Sequence, residues 1–233
     1  MGEPHPERAR PRLYGRRKGH KLSAHRENLR ETLLPELALK LEPGSDPRCT
    51  FDDAVEDVWL EVGFGGGEHL LELARANPRV GLIGAEPYET GVAKLLASIA
   101  ADPLANVRIH EGDARDVIDA LPDASLGRVF ILFPDPWPKT RHHKRRFMQS
   151  ELLDALVRVM KPGAELRFAS DDAGYLAWTL ERLMAHPAFA WTAKRAADWK
   201  MRPANWPQTR YEAKALHGPP AYLRFLRRGK LAP

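Results

Sequence analysis

From Val55 onward, short apolar strands alternate with helical stretches, and this rhythm limits the fold more than any other feature of the chain. Val58–Val62, Val80–Ala85, Val107–Ile109, Arg128–Phe133 and Leu166–Ala169 read as strands. Between them lie helices over His69–Ala76, Glu89–Ala101, Asp116–Leu121, Glu151–Met160 and Gly174–Ala185, the fourth capped by Ser150 and stopped at Lys161-Pro162-Gly163. Trp191 and Tyr222–Leu226 supply late strands, the last antiparallel. The pattern predicts an α/β fold: a doubly wound, mostly parallel sheet with helices on both faces, as in Rossmann-like proteins. In such sheets ligands bind beyond the carboxyl ends of the strands.

Upstream, Ser23 is placed to cap a helix over Ala24–Leu41 with Leu29, Leu33, Leu34 and Leu37 on one face. Residues 1–22 are expected to form a basic, flexible arm and residues 23–233 a single domain. Residues 1–30 hold nine Lys or Arg and three Glu, while the other 203 residues carry a net charge of −1. A basic arm on a near-neutral body fits a polyanionic partner, and equally a solvated tail. The one cysteine, Cys49, excludes an intrachain disulfide and suits a cytoplasmic setting. No membrane span is expected, since the longest apolar run, Val129–Phe133, is far too short.

What stands at the strand ends carries the chemistry. The first strand runs into Glu61-Val62-Gly63-Phe64-Gly65-Gly66-Gly67, a loop in which Gly63 and Gly65 let a ligand approach the backbone. The last position of the dinucleotide spacing G-x-G-x-x-G is Glu68, whose charge would repel a pyrophosphate at a helix start. A cationic nucleoside such as S-adenosyl-L-methionine suits the loop better than a dinucleotide. Glu86 ends the second strand, where an acid can accept both ribose hydroxyls. Asp113 ends the third, where it could accept from an adenine amine or simply cap the next helix.

The fourth strand ends in Phe133-Pro134-Asp135-Pro136-Trp137-Pro138-Lys139. Three prolines hold Asp135 stiffly, as a positioned catalytic group requires. Thr140-Arg141-His142-His143-Lys144-Arg145-Arg146 follows, and Lys139–Arg146 holds five Lys or Arg in eight residues with no acid, a composition suited to phosphates. His142 and His143 do not make a metal site by spacing.

Taken together these segments resemble the bacterial tRNA (guanine-N7-)-methyltransferase family, class I S-adenosylmethionine enzymes. Ser170-Asp171 and Thr209-Arg210-Tyr211-Glu212 complete the match, in family order over about residues 55–228. The resemblance implies methyl transfer to N7 of a variable-loop guanosine in tRNA. It implies cofactor contacts at Glu61, Gly63, Gly65, Glu86, Asp113 and Asp135, with Asp135 catalytic. It implies guanosine or tRNA contacts at Lys139, Asp171, Thr209, Arg210, Tyr211 and Glu212. It implies RNA-backbone binding by Arg141, His142, His143, Lys144, Arg145 and Arg146. No metal and no obligatory protein partner is expected, and a monomer and a homodimer fit equally. A methyltransferase of another RNA, or a non-catalytic RNA-binding module, remains an alternative.

Overall fold

In a computed structural model, the structure describes residues 17–19, 21–52, 54–204, 206, 212–213 and 217–229. Residues 1–16 of the expected arm, and Thr209, Arg210 and Tyr211, lie outside the described residues.

Seven strands form one sheet: β1 (Asp57–Val62), β2 (Val80–Ala85), β3 (Val107–His110), β4 (Leu126–Leu132), β5 (Met160–Ser170), β6 (Phe189–Trp191) and β7 (Ala221–Arg227). Their spatial order is β3-β2-β1-β4-β5-β7-β6. β1 to β5 pair in parallel, and β7 runs antiparallel to both β5 and β6. The fold class read from the sequence therefore holds. β1 is flanked by β2 on one side and β4 on the other, with Val62 level with Ala85 and with Ile131. The chain reverses its direction of travel across the sheet between β3 and β4, so the crevice lies above the ends of β1, β2 and β4.

Among the described residues, the helices around the sheet are α1 (Ala24–Thr32), α2 (Leu34–Leu37), α3 (Glu68–Ala76), α4 (Glu89–Ala101), α5 (Ala114–Ala120), α6 (Ser150–Val159), α7 (Ala173–Ala185) and α8 (Ala197–Lys200). Alternate strand residues feed two apolar layers, as a period of two requires. Val58, Leu60, Val129, Ile131, Leu166 and Phe168 pack with Ile118, Leu153, Leu156 and Tyr175 from α5, α6 and α7. Trp59, Leu82 and Phe130 pack with Leu70, Val92, Leu95 and Leu96 from α3 and α4. Leu60 is fully buried. Truncating such a residue to alanine costs about 2–5 kcal/mol.

Three expectations need correction. The single helix over Ala24–Leu41 is two helices, α1 and α2, because Pro35 at the start of α2 lacks an amide and ends the first run. Ser23 does cap α1, accepting from the amide of Arg26 at 3.4 Å. Helix α6 starts at Ser150 with Gln149 at its cap and no side-chain capping bond. Lys161-Pro162-Gly163 does not separate helix from strand as a loop: β5 begins at Met160 and runs through it, with Gly163 at φ +82°. Among the described residues no helix is long and apolar enough to cross a membrane.

Candidate active site

The strand ends enclose a cavity of about 790 Å³. Gly63, Gly65, Glu86, Tyr88, Asp113, Arg115, Phe133, Asp135, Trp137 and Arg145 are among its walls. The loop after β1 turns on three left-handed glycines, Gly63 (φ +71°), Gly65 (φ +58°) and Gly67 (φ +86°). A second close approach fixes its height. A Cβ on Gly91 of α4 would stand 2.3 Å from the Gly65 carbonyl oxygen, so only glycine lets helix and loop meet.

Glu86 organises the floor. One carboxylate oxygen accepts the Gly65 amide at 2.8 Å and the other accepts the Tyr88 amide at 2.9 Å. The side chain is buried, and desolvation raises its pKa. The two amide bonds oppose that shift, while the nearby acids Asp135 and Glu61 add to it. Asp113 also lines the cavity. It caps α5 through the Arg115 amide at 3.0 Å, and its carboxylate pairs with the Arg115 guanidinium at 2.7 Å. Of the two roles expected for it, the helix cap is the one seen here.

Glu61 stands near the end of β1, one residue before the cavity wall at Val62. It is buried on the sheet face under α3, where its carboxylate meets His69 Nδ1 at 2.8 Å, and it is not among the residues lining the cavity.

Asp135 stands at the mouth of the cavity, open to solvent on one side, and desolvation by the walls raises its pKa. Its loop is strained on both sides. Phe133 (φ +51°) and Trp137 (φ +45°) are left-handed although neither is glycine, at a cost of about 1–3 kcal/mol each. Both precede a proline, a position that favours extended backbone, so the rest of the fold imposes this conformation. Part of the restraint is visible: the Phe133 amide donates to the carbonyl of Ala169 on β5 at 2.8 Å.

The basic run after this loop forms a 3-10 turn over Thr140–Arg145. Lys139, Arg141 and Lys144 are exposed, and His142 and His143 are half-buried. His142 packs edge-on to Trp137. Desolvation and the cations Arg145, Arg141, Lys139 and Lys144 lower its pKa. The Arg145 guanidinium lies 4.9 Å from the centre of the Trp137 ring. Arg146 departs from its expected role: it is turned into the protein and only 3% exposed, so it offers no surface to a phosphate.

A family model described as a putative methyltransferase matches residues 55–221. Over 228 residues the chain is 52% identical to the tRNA (guanine-N(7)-)-methyltransferase of Rhodospirillum rubrum, covering 95% of this chain and 89% of that protein. It is 51% identical to the protein of the same description from Paramagnetospirillum magneticum, covering 95% of this chain and 94% of the relative.

The chain belongs to the tRNA (guanine-N(7)-)-methyltransferase family.

Solved structures agree on the fold of this family member. The 16S rRNA (adenine(1408)-N(1))-methyltransferase from Catenulisporales acidiphilia superposes with TM-score 0.51 at 16% identity, over 77% of this chain and 89% of that one. TrmN from Thermus thermophilus gives 0.52 at 15% identity, over 87% of this chain and 48% of that one.

On the substrate side of this methyltransferase, two expected contacts are already engaged. The Asp171 carboxylate accepts the His217 amide at 3.2 Å. Glu212 is buried, accepts the Tyr222 hydroxyl, and has Arg202 Nε at 3.6 Å. Both contacts fall on one carboxylate oxygen, Oε1. The sequence alone did not point to the wall residues Pro87, Tyr88, Arg115 and Phe147. Tyr88 follows Glu86 by two residues and Arg115 follows Asp113 by two, so proximity to a strand-end acid is the signal that could have found them.

Proposed function

We propose that this protein transfers a methyl group from S-adenosyl-L-methionine to N7 of guanosine in tRNA. One observation carries the reading: Asp135, on a strained and proline-bound loop, opens into the cavity that the glycine loop and Glu86 enclose. The walls suit this cofactor. Three carboxylates, Glu86, Asp113 and Asp135, line the space, which favours a cation. Glu68 begins α3 and folds back toward Gly66, so the helix start offers no cradle for a pyrophosphate. Beside Gly63 there is open space where a side chain would otherwise stand.

In this reading Glu86 accepts the ribose hydroxyls, Asp113 accepts the adenine amine, and the backbone around Gly63 and Gly65 faces the amino-acid part. The bound cofactor supplies an electrophilic methyl on a sulfonium. Guanine N7 carries a free lone pair and no proton, so the reaction needs alignment rather than a general base. The base becomes cationic as the methyl arrives. A carboxylate at Asp135 stabilises that charge where it develops. Trp137 presents a flat face to a base. Lys139, Arg141, His142, His143, Lys144 and Arg145 bind the RNA backbone, and Asp171 contacts the guanosine, a role the family resemblance also implies for Thr209, Arg210 and Tyr211. A cytoplasmic location follows from that substrate.

The test is transfer of labelled methyl into unmodified tRNA, with borohydride and aniline cleavage mapping the modified nucleotide. Asp135→Ala is expected to lower kcat roughly 10²–10³-fold, the scale of losing one charge-stabilising group. Near wild-type turnover in that variant would remove Asp135 from the chemistry.

A further inference from the structure

Arg146 closes a run of cations, yet its surroundings are those of an internal strut. Its Nε donates to the carbonyl of Pro136 at 2.8 Å, and Nη1 donates to the carbonyl of Gly174 at 3.4 Å. The guanidinium lies 5.0 Å from the ring centre of Tyr175 and 5.1 Å from that of Trp178. Desolvation lowers its pKa, while Asp172 nearby favours the charge. Among the described residues no carboxylate comes within ion-pair distance of it. The cation is met by carbonyl oxygens and aromatic faces instead.

Its two carbonyl partners belong to different strand ends. Pro136 directly follows Asp135 on the loop after β4. Gly174 is in the first turn of α7, three residues after Asp171 at the end of β5. The same side of α7 secures the next stretch of chain. The Tyr175 hydroxyl accepts the Met148 amide at 3.2 Å, and Trp178 Nε1 donates to the Met148 carbonyl at 3.1 Å. Burial pushes the Tyr175 phenol up to about 12, so it stays protonated through neutral pH. Proline has no amide, so the carbonyl is the one backbone group of Pro136 that a neighbour can hold. A planar guanidinium can reach two carbonyls and stack on two rings at once, whereas an ammonium cannot.

We propose that Arg146 is a positioning residue that ties the Asp135 loop to the start of α7 and so fixes Asp135 relative to the reacting base. It does not act as a ligand of RNA phosphate. This rests on the reading of Asp135 given above.

The experiment compares Arg146→Lys, Arg146→Ala and Arg141→Ala in the full chain. Steady-state methylation of unmodified tRNA and tRNA affinity across a range of salt are measured. A displaced catalytic group costs on the order of 10²-fold in rate for about 1 Å. Both Arg146 variants are therefore expected to lose kcat on that scale, with KM for tRNA and for S-adenosyl-L-methionine little changed. Their log affinity against log salt keeps the wild-type slope. Arg141→Ala instead weakens tRNA binding and makes the slope shallower by about 0.7–0.9. Millimolar guanidinium ion added to Arg146→Ala is expected to restore part of kcat, which a general loss of stability would not allow. If Arg146→Ala does not fold, Arg146→Lys keeps the buried charge and decides by the same two readings. Unchanged kcat in Arg146→Lys, or a shallower salt slope with unchanged kcat, overturns the proposal. A wild-type protein that methylates no tRNA overturns the functional reading and this inference with it. An active wild type with fully active Arg146 variants overturns this inference alone.

Discussion

The carboxylate of Glu86 holds the backbone amide of Gly65 at 2.8 Å, across from the strand that carries it. With its second bond, to Tyr88, it joins the end of β2 to the loop after β1. Both amides lose their acceptor in Glu86→Ala. A buried donor left without a partner costs about 1–3 kcal/mol, partly offset here because a desolvated carboxylate is also removed. The loss of ribose acceptors adds to this, and each ~1.4 kcal/mol is tenfold in affinity. Calorimetric titration is expected to show S-adenosyl-L-methionine binding weakened tenfold or more. An unchanged Kd would take the ribose away from Glu86.

The sign of the Asp135 shift leads to a pH experiment. Its pKa is raised from the ordinary value of 3.8 by desolvation, so the folded state favours the protonated form. The stability linked to this group is present below the unfolded pKa and is lost as pH rises through the raised folded pKa. Asp135→Asn has no such loss. Its melting temperature relative to wild type is therefore expected to climb between acidic and neutral pH, even as methyl transfer falls. A difference in melting temperature that stays constant with pH would contradict this.

Gly91→Ala probes the seam between α4 and the glycine loop. The new methyl would stand 2.3 Å from the Gly65 carbonyl oxygen. Overpacking of this kind costs about 1–3 kcal/mol. In a domain of this size that lowers the melting temperature by roughly 2–4 °C per kcal/mol. Because the loop must shift, cofactor affinity should fall in the same variant. A variant as stable as wild type would show that helix and loop can separate freely.

With the exposed cations Lys139, Arg141 and Lys144 facing RNA phosphates as proposed, tRNA affinity is expected to depend steeply on salt. Each phosphate contact contributes about 0.7–0.9 to the slope of log affinity against log salt. Removing all three should flatten the slope by roughly two to three contacts' worth. Filter binding from low to high salt measures it, and a slope equal to wild type would place the RNA elsewhere.

Much of this arrangement was legible in the sequence because it depends on local chemistry. Short apolar strands alternating with helices, and the acids Glu86, Asp113 and Asp135 at strand ends, mark the crevice in the sequence itself. β2 and α4 fall where the pattern puts them, Val80–Ala85 and Glu89–Ala101. What escaped depends on tertiary contact. Nothing local distinguishes Arg146 from Arg145, and only the rings of Tyr175 and Trp178 turn one of them inward. The pairing of the Glu61 carboxylate with His69 is likewise made only when α3 packs on β1. The left-handed backbone at Phe133 and Trp137 runs against what a following proline favours, so no sequence rule would place it there.

The three prolines around Asp135 also fix what kind of hydrogen bonding this loop can offer. Pro134, Pro136 and Pro138 have no amide hydrogen, and the Phe133 amide is already given to Ala169. From Phe133 to Pro138 the loop is poor in backbone donors and rich in acceptors. Any polar group that settles against this stretch must therefore bring its own hydrogen, and the same residues that hold Asp135 in place leave its carboxylate as the charged acceptor of the loop.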